Sequence, residues 1–454
     1  MAIQTLNPAT GKVEKTFDPH TEAEIETMLA KGEKAFQTWR HSNFTHRSEL
    51  MRFVQGELAG NTEKYARIIT AEMGKPIQQS RGEVRKCALA CEYYAANAET
   101  FLADELIKTG ATRSYIAYEP LGIILAIMPW NFPFWQVFRF AAPAIMAGNV
   151  GILKHASNVP QCALAIQEIF TKAGFPEGIF QTVLVESDGV DVLIKDERIK
   201  AVTLTGSEGA GAHVASVAGK EIKKTVLELG GSDAFVVLQD ADLELAAENA
   251  VRSRMINTGQ SCIAAKRFIV EEPVAEEFIR KMKEKMANLK SGDPASDEAD
   301  FGPLARKDLA ESLQKQVEKS VAQGAEKVLD GGHAENDSAW FKPMILKNVK
   351  PGMPAYEEEM FGPVAAVMVA KDAEDALRIA NDSRFGLGAS IWTNDHKKGQ
   401  ELARRMESGA VFINALVASS PEMPFGGIKK SGYGRELSYV GIREFVNQKS
   451  IWLA

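Results

Sequence analysis

From residue 121 onward the chain alternates short apolar, β-prone runs with longer helix-patterned stretches, and this restricts the fold more than any other feature. The runs fall at 122–127, 150–153, 182–185, 201–204, 224–229 and 234–238, with helical spacing at 159–172 and 211–219 between them. Strands spaced by covering helices predict parallel sheets, hence an α/β fold. Helical patterns at 242–256 and 273–289 flank another apolar run at 268–270 and imply a second α/β unit. A chain of 454 residues is too long for one core and should divide into two or three domains. The division expected is 1–101 with 121–230, then 231–433. Residues 102–120, ending in the alternating Ser114-Tyr115-Ile116-Ala117-Tyr118, read as an excursion that the tail, 434–454, pairs with or offers to another subunit. Near the start, Thr21-Glu22-Ala23-Glu24 has the form of a capping box before a helix carrying Ile25, Met28, Leu29, Phe36 and Trp39.

Composition removes several function classes. A net charge of −7 with no basic stripe argues against a nucleic-acid partner. The strongest apolar run, 121–128, stops at Pro129, well short of the ~20 residues a membrane helix needs, so no membrane partner is expected. The first residues have neither a basic segment nor an apolar core of the kind found in signal peptides. Four scattered cysteines, Cys87, Cys91, Cys162 and Cys262, fit no disulfide framework, and the seven histidines show no ligand spacing. A cytoplasmic protein without a metal site is the expectation.

Two segments each present one chemically capable side chain among small neighbours: Glu228-Leu229-Gly230-Gly231 and Gly259-Gln260-Ser261-Cys262. A thiol supplies a soft nucleophile and a carboxylate can activate water, so together they cover both halves of an acyl-transfer cycle. Singly, each has a plainer reading, a buried small hydrophobe for the cysteine and a strand-end charge for the glutamate. Thr205-Gly206-Ser207-Glu208-Gly209-Ala210-Gly211 follows a strand and opens a helix, where backbone amides and the helix dipole favour a pyrophosphate, although it is not the usual G-x-G-x-x-G. In Pro129-Trp130-Asn131-Phe132-Pro133, Asn131 is either a donor to an oxyanion or a turn-capping residue.

With Glu359-Met360-Phe361-Gly362-Pro363 and Pro424-Phe425-Gly426-Gly427 added, these motifs resemble the aldehyde dehydrogenase superfamily over essentially the whole chain. The resemblance implies a Rossmann-type dinucleotide-binding domain, an α/β catalytic domain and a small oligomerisation arm that builds homodimers or homotetramers. It also implies roles. Cys262 would attack an aldehyde, Asn131 would hold the oxyanion, and Glu228 would activate the hydrolytic water. Trp130, Gly206, Ser207, Gly211 and Leu229 would shape the dinucleotide site, Glu359 would hold the nicotinamide ribose, and Phe361 would pack near the ring.

Two places narrow that reading. Lys154-His155-Ala156-Ser157 resembles the segment where the family binds the adenosine ribose; NAD-preferring relatives often carry a carboxylate at the position of Ser157, which repels a 2′-phosphate, so NADP is favoured with NAD the alternative. Arg139, in an apolar stretch, needs an anion. With Phe132, Trp135, Gln136, Ser419 and Phe425 on the expected substrate walls, Arg139 reads as a carboxylate receptor, and the pattern resembles succinate-semialdehyde dehydrogenases, although Ile256 stands where those often have a second arginine. The competing reading pairs Arg139 with a protein carboxylate. A dehydrogenase of a neutral or cationic aldehyde, or a non-catalytic protein on the same fold, are the alternatives.

Overall fold

The computed structural model describes residues 3–334 and 338–454. Two large sheets organise it. The first has six strands in the order Gly432–Tyr433, Lys224–Glu228, Ile199–Thr205, Ile123–Met128, Val150–His155, Phe180–Thr182, all parallel except the first, which runs antiparallel to Lys224–Glu228. The second has seven: Glu326–Leu329, Met344–Lys347, Val364–Ala370, Arg267–Glu271, Ala234–Val237, Gly388–Trp392 and Ala410–Ile413, with only Glu326–Leu329 antiparallel to its neighbour. The inner strands, such as Ile123–Met128, Val150–His155, Ala234–Val237 and Val364–Ala370, are buried nearly throughout, as parallel strands covered on both faces must be, and this is why they read as continuous apolar runs.

The strand expected at 182–185 lies at Phe180–Thr182 instead. Phe180 stacks on Phe170 with ring centroids 4.5 Å apart, and beyond Val183 the chain leaves the ladder. There His20 takes over: its N–H donates to the Leu184 carbonyl at 2.8 Å while its Nδ1 accepts from the Leu184 N–H at 3.1 Å. The capping box forms as expected, with the Thr21 hydroxyl accepting from the Glu24 N–H and the Glu24 carboxylate accepting from the Thr21 N–H.

The arm is a three-stranded antiparallel sheet in which the C-terminal strand Val446–Leu453 pairs along the whole of Arg113–Pro120, with Glu105–Leu106 on the other edge. The helix Ile77–Phe101 leads into it and packs on Trp135–Met146, so one long helix joins the arm to the ground of the site. Among the described residues no helix is long and apolar enough to cross a membrane.

Candidate functional site

Cys262 is presented on a loop that follows a strained turn. After the helix Leu243–Met255, Asn257, Thr258 and Gly259 take φ of 52°, 54° and 79°. Left-handed backbone at a β-branched residue such as Thr258 costs of order 1–3 kcal/mol and persists where the surroundings over-determine it. They do so here. The Asn257 N–H donates to Gln79 Oε1 at 2.7 Å, the Asn257 amide donates to the carbonyls of Asn131 and Gln260 at 2.7 and 3.0 Å, and the Ala305 N–H donates to Gln260 Oε1 at 2.8 Å. Gly259 is required for space as well as for φ, since a Cβ would run into the Gly362 carbonyl. Downstream, the buried Lys266 ammonium donates to the carbonyls of Ser261, Cys262 and Ala264 at 2.8, 2.7 and 3.1 Å and pairs with Glu359 at 3.4 Å. Sequence reasoning missed both Asn257 and Lys266, whose roles depend on contacts between loops.

The opposing loop, 129–133, leaves the strand Ile123–Met128 and is fastened by His155. Burial pushes the His155 imidazole down to about 4, so it is neutral, and its contacts select the tautomer: Nδ1 accepts from the Ala156 N–H at 2.9 Å, leaving Nε2 to donate to the Pro133 carbonyl at 2.8 Å. Asn131 is thereby held against the nucleophile loop, where its amide donates to the Gln260 carbonyl at 3.2 Å.

Cys262 stands where two cavities meet. One, of about 260 Å³, is lined by Phe132, Trp135, Gln136, Arg139, Ser419 and Phe425. These are the six residues expected on the substrate walls. The other, of about 420 Å³, lies at the carboxyl ends of the first sheet's strands and is lined by Trp130, Asn131, Gly206, Ser207, Leu229, Glu359 and Phe361. Among the described residues, only Gln136 and Cys262 belong to both. Burial pushes the Cys262 thiol up to about 12, so the sulfur carries its proton at neutral pH.

Glu228, at the end of Lys224–Glu228, lines neither cavity. It is 2% exposed, neither carboxylate oxygen has a hydrogen-bond partner among the described residues, and Gly426 packs so closely that a Cβ there would lie 2.7 Å from Oε1. Burial, reinforced by the charge of Glu436, raises its pKa well above the ordinary carboxylate range.

Arg139, for which the sequence left either a substrate carboxylate or a protein carboxylate as partner, lines the cavity and has the latter beside it. Its guanidinium forms a buried ion pair with Glu436, donates to Thr205 Oγ1 at 3.3 Å and lies over the Phe425 ring at 4.6 Å. The anion that a buried guanidinium needs is thus supplied by the protein, from Gly434-Arg435-Glu436, a segment too distant in sequence to pair by inspection. Removing one partner of such a pair costs ~3–5 kcal/mol, so Arg139→Ala should lower the urea midpoint strongly and reduce turnover of charged and neutral aldehydes together. A loss confined to carboxylated aldehydes, with the midpoint unchanged, would restore the receptor role.

The residues of the second cavity suit a dinucleotide. Gly206 and Ser207 sit at the N-terminus of Glu208–Lys220, with the Ser207 hydroxyl spent on capping Ala210. Gly211 lies within that helix and outside the cavity; a Cβ there would meet Leu229 at 2.5 Å, so it serves helix-to-strand packing. Glu359 keeps one oxygen on the Gly231 N–H at 3.0 Å while its side chain remains 21% exposed. Phe361 meets Trp130 edge-on at 5.8 Å. Lys154 stands at the end of Val150–His155 and Ser157 just beyond it; Ser157 is exposed, and no carboxylate among the described residues pairs with Lys154. Arg306, which the sequence did not single out, also lines the cavity, its guanidinium paired with Asp308 through two 2.8 Å hydrogen bonds.

Comparison with known proteins agrees with this geometry. The pattern described as the Aldehyde dehydrogenase family matches residues 1–451. A protein of Synechocystis sp. described as a probable NADP(+) succinate-semialdehyde dehydrogenase is 53% identical over 454 residues, covering 100% of both chains. A Mycobacterium avium protein described as an NADP(+) succinate-semialdehyde dehydrogenase is 49% identical, covering 100% of this chain and 97% of its own. Among solved structures, succinic semialdehyde dehydrogenase from Streptococcus pyogenes in complex with NADP+ superposes with a TM-score of 0.97 at 37% identity, covering 100% of both chains.

Proposed function

Because the chain belongs to the aldehyde dehydrogenase family, we propose that it oxidises succinate semialdehyde to succinate through a cysteine thioester, with NADP preferred over NAD. The observation that carries this reading is Cys262 at the junction of an aldehyde-sized cavity and a dinucleotide-sized one. Cys262 attacks the aldehyde carbon, and the proton that its raised pKa retains passes to water in the cavity as the carbon–sulfur bond forms and the carbonyl oxygen takes up the negative charge. Asn131, already beside the loop, turns its amide to the oxyanion together with the Cys262 backbone N–H. When bound, the oxidised dinucleotide supplies the hydride acceptor. Trp130, Gly206, Ser207, Leu229, Glu359 and Phe361 hold it, with Lys154 and Ser157 on the adenosine side. Glu228, buried outside both cavities in this structure, turns toward Cys262 and, in its ionised form, takes a proton from the water that hydrolyses the thioester.

The assembly we propose is a homodimer or homotetramer built through the arm, in the cytoplasm. The exposed apolar residues Leu106, Trp452 and Leu453 on that sheet support it.

Kinetics on succinate semialdehyde and butanal, each with NADP and NAD, test the reading. Succinate semialdehyde with NADP should give the highest kcat/KM; equal values for the two aldehydes would overturn the substrate assignment. Ser157→Glu in the same assay should raise the KM for NADP far more than that for NAD, because it sets a carboxylate beside the 2′-phosphate. An unchanged ratio would place that phosphate elsewhere.

A further inference from the structure

We propose that Lys86 is the cation that receives the substrate's ω-carboxylate, in place of Arg139. The inference rests on the succinate semialdehyde reading and names the group that confers it. Among the described residues, Arg139 and Lys86 are the two basic ones that line the smaller cavity with Cys262, and Glu83 is its acidic one. The charges of Arg139 and Glu83 are already balanced within the protein. Arg139 is paired with Glu436. Glu83 is paired with the fully buried Lys75, and its other oxygen accepts from the N–H groups of Phe134 and Trp135 at 2.8 and 3.0 Å. Lys86 has no carboxylate partner among the described residues. Its ammonium donates to Ser419 Oγ at 2.9 Å and lies 4.2 Å from the centre of the Trp135 ring.

The surroundings of Lys86 are arranged for an anion that arrives with the substrate. Burial, with the charge of Arg139 acting the same way, pushes its pKa down to about 8, the behaviour of an ammonium that lacks a counter-ion. Ser419 accepts from Lys86 and also from Trp135 Nε1 at 3.0 Å, so its own hydroxyl hydrogen is free to be donated to a carboxylate. Lys86 and Ser419 also line the outer groove beside Tyr93 and Pro421, which puts this pair at the mouth of the cavity. A chain with an aldehyde at one end and a carboxylate at the other can therefore lie with its carbonyl at Cys262 and its charge at the mouth, its methylenes passing Phe132, Ile256 and Ile263. Ile256 then needs no arginine in its place.

The test is Lys86→Met, which keeps the length of the stem, with Lys86→Arg as the conservative partner. A charge-assisted hydrogen bond to a carboxylate corresponds to roughly 10- to 150-fold in specificity. In Lys86→Met the ratio of kcat/KM for succinate semialdehyde to that for butanal should fall by that factor, chiefly through KM, and competitive inhibition by added succinate should weaken in parallel. Lys86→Arg should recover most of the ratio. Equal losses on both aldehydes would make Lys86 a structural residue and overturn the proposal. A preference for succinate semialdehyde that survives Lys86→Met would overturn the role of Lys86 alone, whereas an unmutated enzyme with no such preference would remove the substrate reading and this role with it.

Discussion

Cys262→Ala is expected to abolish aldehyde oxidation while the protein continues to bind NADP. Only the covalent step needs sulfur, and no second thiol can take its place. Cys87, Cys91 and Cys162 are fully buried away from both cavities, and burial raises the pKa of each thiol. The loop itself should survive the change, because its hold on the protein runs through backbone carbonyls bound by Lys266 and through Asn257, not through the Cys262 side chain. Reduced-cofactor absorbance measures turnover, and quenching of tryptophan fluorescence on titration with NADP measures binding. Turnover above a few per cent of the unmutated rate would remove Cys262 from the nucleophile role; loss of binding as well would mean that the sulfur also shapes the dinucleotide cavity it lines.

Glu228→Gln should divide the reaction into its two halves. General base action contributes ~10²–10⁴-fold, and if Glu228 acts on the hydrolytic water that loss falls on steady-state turnover while the first rapid release of reduced cofactor persists. The pH profile gives a second readout. Burial and Glu436 raise the Glu228 pKa, with Arg139 and Arg435 opposing and Glu444 adding to the rise. A carboxylate is the base and exists above its pKa, so hydrolysis should climb with pH through a value well above the ordinary glutamate range, and the Glu228→Gln enzyme should lose that rising limb. A burst lost in step with turnover would place Glu228 in activating the Cys262 thiol instead.

The sheets were legible in the sequence because parallel strands buried on both faces are continuous apolar runs, as at Val150–His155 and Val364–Ala370. The strand read at 182–185 was misplaced because the apolar character there arises from packing beside the sheet, while the hydrogen bonds of Leu184 go to His20. The walls of both cavities were legible because motif and wall coincide in loops such as 129–133. What escaped was which charges pair with which. Arg139 with Glu436 and Glu83 with Lys75 each cancel a charge that reads as available in one dimension, and Lys86 reads as one more polar position on a long helix. Which cation remains unpaired emerges only after the fold has matched the others.

The strand Gly432–Tyr433 returns from the far end of the chain to pair with the strand that ends at Glu228, Gly432 directly opposite Glu228, and Phe425 bridges to Glu436 beside it. Contacts so distant along the sequence close slowly, since loop-closure entropy must be overcome before they contribute. During synthesis Cys262 therefore leaves the ribosome long before the segment that encloses Glu228 exists. Until that segment docks, the strand that ends at Glu228 has an open edge, and the substrate cavity lacks Val417, Ser419 and Phe425 from its wall. The last part of the chain to be made therefore closes both the carboxylate's surroundings and the cavity in front of the thiol.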